Sequence, residues 1–358
     1  MRLTLRVGGW SLAALGMSVN AACINFHPPP APIPPERAGD PPTELWSAQT
    51  ARGVTAPLGL TGSIVVAAAA NRRLVAVGLD SAQPLWTARL PGEAAGGVLT
   101  DGNRIYVGTG RPTGRIEAHA LDGRTLWRTS TGEITSPLAR VGDMILGMTR
   151  REQVVAVNAA TGRLRWQRHA GNSRTAPIAA DAGHVLVTTM DSLMLFETSA
   201  GRLVKHRPMR GVSLSGWMPL GPSLVTGLAD SAVVAIDPGT LEEKWRVRTD
   251  APILGPIAVS GDTVWAATRI GSIYEIIGRA TPAVKVLARL NWPLTSGIAA
   301  IGPDLLVGGA DGAMRGLNRD GSERWRVQLW PAVDIPPIPL PDGFAAIGGS
   351  GDLHRFIQ

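Results

Sequence analysis

Side chains able to do chemistry are few in this chain, and they are scattered. Its histidines, His27, His119, His169, His184, His206 and His354, stand at no metal-ligand spacing. No nucleophile elbow, phosphate-cradling glycine loop, calcium loop or paired-carboxylate signature is present. Four Phe and two Tyr, with no basic run interleaved among them, do not make a nucleic-acid surface. Neither catalysis, a metal nor a cofactor is therefore expected. Two places remain. One is Cys23, the single thiol, which excludes an intramolecular disulfide. The other is the stretch from His206 to Trp217, whose Arg, Met and Trp residues have the composition of a protein contact surface or of a tolerated insertion.

A repeat positions these residues. In Val154-Val155-Ala156-Val157-Asn158-Ala159-Ala160-Thr161-Gly162-Arg163-Leu164-Arg165-Trp166, an alternating apolar run meets a Gly turn and a second run ends on Trp. That pattern predicts a β-hairpin. Trp46, Trp86, Trp127, Trp166, Trp245 and Trp325 end successive copies, in steps of 40, 41, 39, 79 and 80 residues. The two double steps hide degenerate copies, Leu195-Phe196-Glu197 to Lys205 and Tyr274-Glu275-Ile276 to Val286. A second marker, a Pro or Gly before an apolar residue (Pro57, Gly97, Pro137, Pro177, Pro219, Pro256, Gly297, Pro337), keeps the same period. One period therefore holds four short strands, a propeller blade. The expected fold is all-β, an eight-bladed propeller of four-stranded antiparallel blades. Three strands of the last blade precede Gln358, and Glu44-Leu45-Trp46 supplies the fourth, closing the ring and removing an open edge. The Trp residues are expected to dock blade on blade. Asp80, Asp122, Asn158 and Asp237 are expected to cap the turns.

The formal charge is +7, and losing Arg2 and Arg6 leaves +5. Arg124, Arg163 and Arg202 fall in hairpin turns around the ring, the pattern of a solvated face. Residues 1–22 read as an export signal: Arg2 and Arg6, an apolar Val7–Val19, then Asn20-Ala21-Ala22. Cys23 follows at once, a position resembling a bacterial lipobox although Asn20 replaces the usual Leu. Either Cys23 carries the lipid that anchors the protein, or the protein is exported soluble with an incidental thiol. Residues 23–43, with Pro28-Pro29-Pro30, Pro34-Pro35 and Pro41-Pro42, read as a semi-rigid spacer ahead of a propeller over 44–358.

The pattern "apolar run, Asp or Asn, x-x-Thr-Gly, x-x-x-Trp" resembles the PQQ-type propeller repeat, on Asn158 to Trp166 and Asp237-Pro238-Gly239-Thr240 to Trp245. Quinoprotein dehydrogenases share the blade count but carry an adjacent Cys pair near the cofactor, which this chain lacks. Within the superfamily the chain is similar to the BamB family of outer-membrane assembly lipoproteins in size, leader and blade count. That resemblance implies a non-catalytic, monomeric propeller in a complex, an outer-membrane lipoprotein facing the periplasm. It implies docking on the β-barrel assembly protein through a Leu-Arg-Gly-x-Ser loop, matched here by Met209-Arg210-Gly211-Val212-Ser213. The family's Asp-x-Asp pair before a blade Pro has only Asp250 as counterpart, ahead of Ala251-Pro252-Ile253-Leu254-Gly255. The alternatives are a PQQ-like propeller recognising another envelope protein or a cell-wall glycan and, more remotely, a quinoprotein dehydrogenase.

Overall fold

The computed structural model describes residues 41–50, 54, 57–69 and 71–357. The leader, Cys23 and most of the Pro-rich spacer lie outside the described residues. Among the described residues there are thirty-two strands and no helix. The strands form eight four-stranded antiparallel sheets arranged as an eight-bladed β-propeller. Blade 3, from the innermost strand outward, runs Ala139–Val141, Met144–Met148, Gln153–Asn158 and Leu164–His169. Both degenerate copies are complete blades. Blade 4 ends on Leu203–Pro208, and blade 6 ends on Ala283–Arg289.

Each middle strand is covered on both faces. Val154 and Ala156 pack with Phe196 in the blade 3–4 core, while Val155 and Val157 pack with Tyr106 in the blade 2–3 core. The alternation expected for Val154–Val157 is therefore a continuous buried run, as a doubly covered strand requires. The outer strands of blades 1 and 2 do alternate, because only one of their faces meets a neighbouring blade. Every outer strand also carries a bulge beside the Trp register, as between Ala156 and Val157, which pair with Trp166 and Leu164 and leave Arg165 unpaired. In blades 8, 1, 2 and 4 the extra residue turns outward, so Leu45, Leu85, Leu126 and Val204 stand exposed, whereas Leu287 of blade 6 packs against the blade 6–7 core.

The ring closes in blade 8. Its inner strands are Ile338–Leu340, Gly343–Ile347 and Asp352–Ile357, and its outer strand is Thr43–Gln49. Thr43 pairs with Ile357 and Gln49 with Asp352. Trp325 stacks on Phe344 with centroids 5.6 Å apart, and Phe344 on Phe356 at 4.9 Å, so half of the chain's four Phe residues reinforce this seam. Three of the four turn residues bond local amides: Asp122 accepts from Arg124 N, Asn158 from Ala160 N and Thr161 N, and Asp237 from Gly239 N and Thr240 N. Asp80 is instead exposed, 3.9 Å from Arg355.

Candidate docking site

One contact recurs at four of the blade junctions, and at another a lysine takes the place of the indole. Trp86 Nε1–H donates to Leu121 O at 2.7 Å, Trp127 to Ala159 O at 3.1 Å, Trp166 to Thr198 O at 2.8 Å and Trp46 to Leu79 O at 2.9 Å. Each indole thus reaches the hairpin turn of the next blade. Opposite three of these rings sit Gly123, Gly162 and Gly201, at φ between 64° and 86°. A Cβ on any of them would lie 2.5–2.7 Å from the indole. Trp245 is buried in the blade 5–6 core. Trp325 faces blade 8, where the chain termini replace a hairpin, and donates instead to Asp304 Oδ2 of its own blade at 2.9 Å.

Between blades 4 and 5 the pair is exchanged. Lys205 holds the Trp register, and its ammonium donates to Gly239 O at 3.1 Å. Leu241 holds the turn position of Gly162: its N donates to Asp237 O at 2.8 Å just as Gly162 N donates to Asn158 O. Leu241 has φ 61°, strained for a residue with a Cβ, and is only 1% exposed. A leucine reaching up from the turn thus stands where other blades set an indole reaching down. Beside Leu241 lies a cavity of about 380 Å³. Leu193, Val234, Ile236 and Leu241 form its apolar floor, and Arg207, Met209, Arg210 and Arg246 its rim.

The rim charges are unequally committed. Arg207 pairs with Glu242 at 2.9 Å. Arg246 pairs with Glu243 at 2.9 Å and donates to Arg210 O at 3.0 Å. The Glu243 hydrogen bonds raise the Arg246 pKa against the opposing effect of burial. Arg210 is exposed, and its guanidinium has no partner among the described residues. A cation free at the mouth of an apolar pocket suits an incoming carboxylate with an aliphatic neighbour.

The loop residues singled out by sequence take different places. Met209 packs partly buried against the blade 4–5 core, at the rim. Gly211 turns the chain at φ 89°, with Asp230 beneath it. Ser213 is buried, its hydroxyl 2.8 Å from Thr226 Oγ1, so it holds the loop down rather than facing outward. Trp217 is buried as well and donates to Thr188 Oγ1 at 2.6 Å, which removes it as a surface anchor. Asp250 lies exposed on the next junction, with Ser272 Oγ donating to its Oδ2 at 2.5 Å. Gly211→Ala is expected to cost about 1 kcal/mol, chiefly backbone strain because the Asp230 side chain can swing aside. Urea unfolding checks this, and an unchanged midpoint would mean that the loop relaxes freely.

In sequence, His119 and His354 stand at no metal-ligand spacing. The structure supplies a carboxylate to each: Glu117 Oε2 lies 3.3 Å from His119 Nε2, and Glu44 Oε1 lies 3.0 Å from His354 Nδ1. Among the described residues, no three His, Cys, Asp or Glu side chains converge as metal ligands. The Lys205–Leu241 exchange was also missed, although a Leu after Thr240, where Gly162 follows Thr161, was legible.

Comparison with known proteins follows this geometry. A protein family described as "Outer membrane protein assembly factor BamB" matches residues 37–167 and 112–218, about half of the chain. The outer membrane protein assembly factor BamB of Burkholderia pseudomallei (strain K96243) is 29% identical over 127 residues. That alignment covers 34% of this chain and 32% of the relative, about a third of its length. The crystal structure of BamB from Moraxella catarrhalis superposes with a TM-score of 0.74 at 17% identity, over 89% of this chain and 98% of that one. The quinohemoprotein alcohol dehydrogenase of Comamonas testosteroni gives 0.69 at 12% identity, over 90% and 78%. Both superpositions, at under 25% identity, speak for the fold alone.

Proposed function

The chain belongs to the BamB family, and from that premise we propose that it is a non-catalytic scaffold of outer-membrane β-barrel assembly. In this reading it is exported, anchored to the outer membrane through a lipid on Cys23, and faces the periplasm as one propeller within a larger complex. Its docking site is the blade 4–5 pocket. The observation that carries the assignment is Arg210, the uncommitted cation at the mouth of the cavity beside Leu241, at the junction where Lys205 and Leu241 stand in place of the Trp–Gly wedge. A partner segment with a carboxylate beside an aliphatic side chain would pair with Arg210, fill the cavity above Leu241 and cover Met209. Asp250 would meet a donor on the same partner. Nothing in this role needs a cofactor, and the only thiol, Cys23, lies in the leader.

Two variants test the site from opposite sides. Arg210→Glu is expected to reduce recovery of the barrel-assembly protein in native-envelope pull-down at least tenfold, with thermal stability unchanged. The double variant Lys205→Trp/Leu241→Gly restores the wedge used between other blades. It is expected to fill the cavity, keep the fold and reduce recovery likewise. Undiminished recovery in both would remove the pocket from the docking surface. Recovery of a different envelope protein or a glycan by the unaltered chain would replace the assembly reading itself.

A further inference from the structure

Between blades 1 and 2 the interior turns from apolar to charged. Across from the bulge, where blades 1, 3 and 5 place Val75, Val155 and Val234, blade 2 places Glu117. The Glu117 side chain is 1% exposed and neither oxygen has a hydrogen-bond partner. Around it stand two guanidiniums, with Arg128 Nε at 3.2 Å and Arg115 Nη1 at 3.6 Å, and the His119 ring, with Nε2 at 3.3 Å. Two more arginines, Arg72 and Arg89, complete the pocket of about 240 Å³ above it. Neither has a side-chain partner among the described residues. Four guanidiniums thus surround one buried carboxylate, an excess of positive charge with two groups uncommitted. Arg72 sits at φ 61°, as Glu152 and Ser231 do at the same turn of blades 3 and 5, where blades 6, 7 and 8 place glycine.

Leucines flank the pocket. Leu85 and Leu126, the outward bulge residues of blades 1 and 2, are 53% and 43% exposed. Leu85 lies four residues along the strand from Arg89, and Leu126 two from Arg128. At about 3.3 Å per residue these are spans of ~13 and ~7 Å. The adjacent blade 8 presents Leu45 at the same register.

We propose that this edge of the ring rests on an anionic lipid surface, with the phosphoryl group of one headgroup bound by Arg72 and Arg89. Glu117 fixes Arg115 and Arg128, so that the field of the pocket is delivered by the two free guanidiniums, and the exposed leucines meet the acyl boundary. A soluble phosphate would use the cations and leave the leucines idle, which is why the lipid is the source assigned. The surface is distinct from the blade 4–5 pocket and stands or falls separately from it.

The test uses the full chain carrying Cys23→Ser, so that no acyl chain brings it to the membrane. Co-sedimentation is measured with vesicles of phosphatidylglycerol and phosphatidylcholine in equal parts, and with phosphatidylcholine alone. Binding is expected to the anionic vesicles only. Arg72→Ser/Arg89→Gln should weaken it at least tenfold and Leu85→Ser/Leu126→Ser severalfold. Arg163→Gln/Arg279→Gln, which removes the same charge from exposed turns elsewhere, should change it less than twofold. Equal loss in the two arginine pairs would reduce the effect to net charge and overturn the site. Absence of vesicle binding overturns it too, as does a thermal shift with inorganic phosphate unaccompanied by vesicle binding, which would leave a small-anion site in place of a lipid one.

Discussion

Trp166→Ala is expected to destabilise the propeller by about 3–5 kcal/mol, the range for deleting a large buried aromatic. The ring is buried between blades 3 and 4, stacked near Phe196 at 6.4 Å and lying against Gly201, where no side chain can move in to replace it. Its removal leaves a cavity walled by β-sheet backbone, which collapses poorly, and strands the Thr198 carbonyl that Nε1–H occupied. Lys205→Ala, at the same register of the next blade, is expected to cost under about 1 kcal/mol, since that exposed side chain makes a surface bond and leaves Leu241 in place. Urea midpoints of the two variants decide the matter. Comparable losses would mean that the indole is not what joins the blades.

Asp311→Asn should cost about 3 kcal/mol at neutral pH and make the protein less sensitive to acid. Arg315 is 0% exposed in blade 7, at the register where blade 2 has Glu117. Asp311 pairs with both of its terminal nitrogens, Trp292 covers it at 5.3 Å, and Glu323 stands 3.5 Å from Nε. Removing the Asp311 charge leaves a buried guanidinium with Glu323 as its one remaining carboxylate, and uncompensated buried charge costs ~3–5 kcal/mol. The remaining Glu323 puts the expectation at the low end. Burial alone would raise the Asp311 pKa, but the Arg315 bonds and charge outweigh it and hold the carboxyl below the ordinary range. Its stabilisation is therefore complete above the unfolded value near ~3.9 and drains as pH falls through that value toward the lower folded one. Between pH 5 and pH 3 the unaltered chain should lose stability more steeply than the variant. Parallel curves in denaturant titrations across that window would contradict the assignment.

The fold was legible because its signal is periodic. A Trp every 40 residues, a Gly turn before it and a Pro or Gly after it repeat often enough that two missing Trp residues could be bridged, and Thr43–Gln49 completes the last sheet as the count required. The site was less legible because it consists of departures from the period. Lys205 was read as a gap in the Trp series, whereas its meaning depends on Leu241 thirty-six positions on, in the adjoining blade. The Met209–Ser213 loop was visible as an overlong junction, but its division into an exposed Arg210 and a buried Ser213 depends on Thr226 across the blade. Glu117 and Arg315 gave no signal, since one charged residue in an apolar run reads as the solvent side of a strand until both faces are known to be covered.

The pairing of Thr43–Gln49 with Asp352–Ile357 also fixes an order of events during folding. Seven blades are built from neighbours in sequence and can form as the chain emerges. The eighth joins strands about 300 residues apart. By the logarithmic cost of closing a loop, that pairing carries a penalty of about 3 kcal/mol over a hairpin of a dozen residues. It is offset only once blade 7 offers the aromatic stack of Trp325 to Phe344 and Phe356. Until then the first strand made waits as an unpaired edge with Leu45 and Trp46 upon it, the sort of segment a chaperone must shield. The first residues of the ring to emerge are the last to find their place.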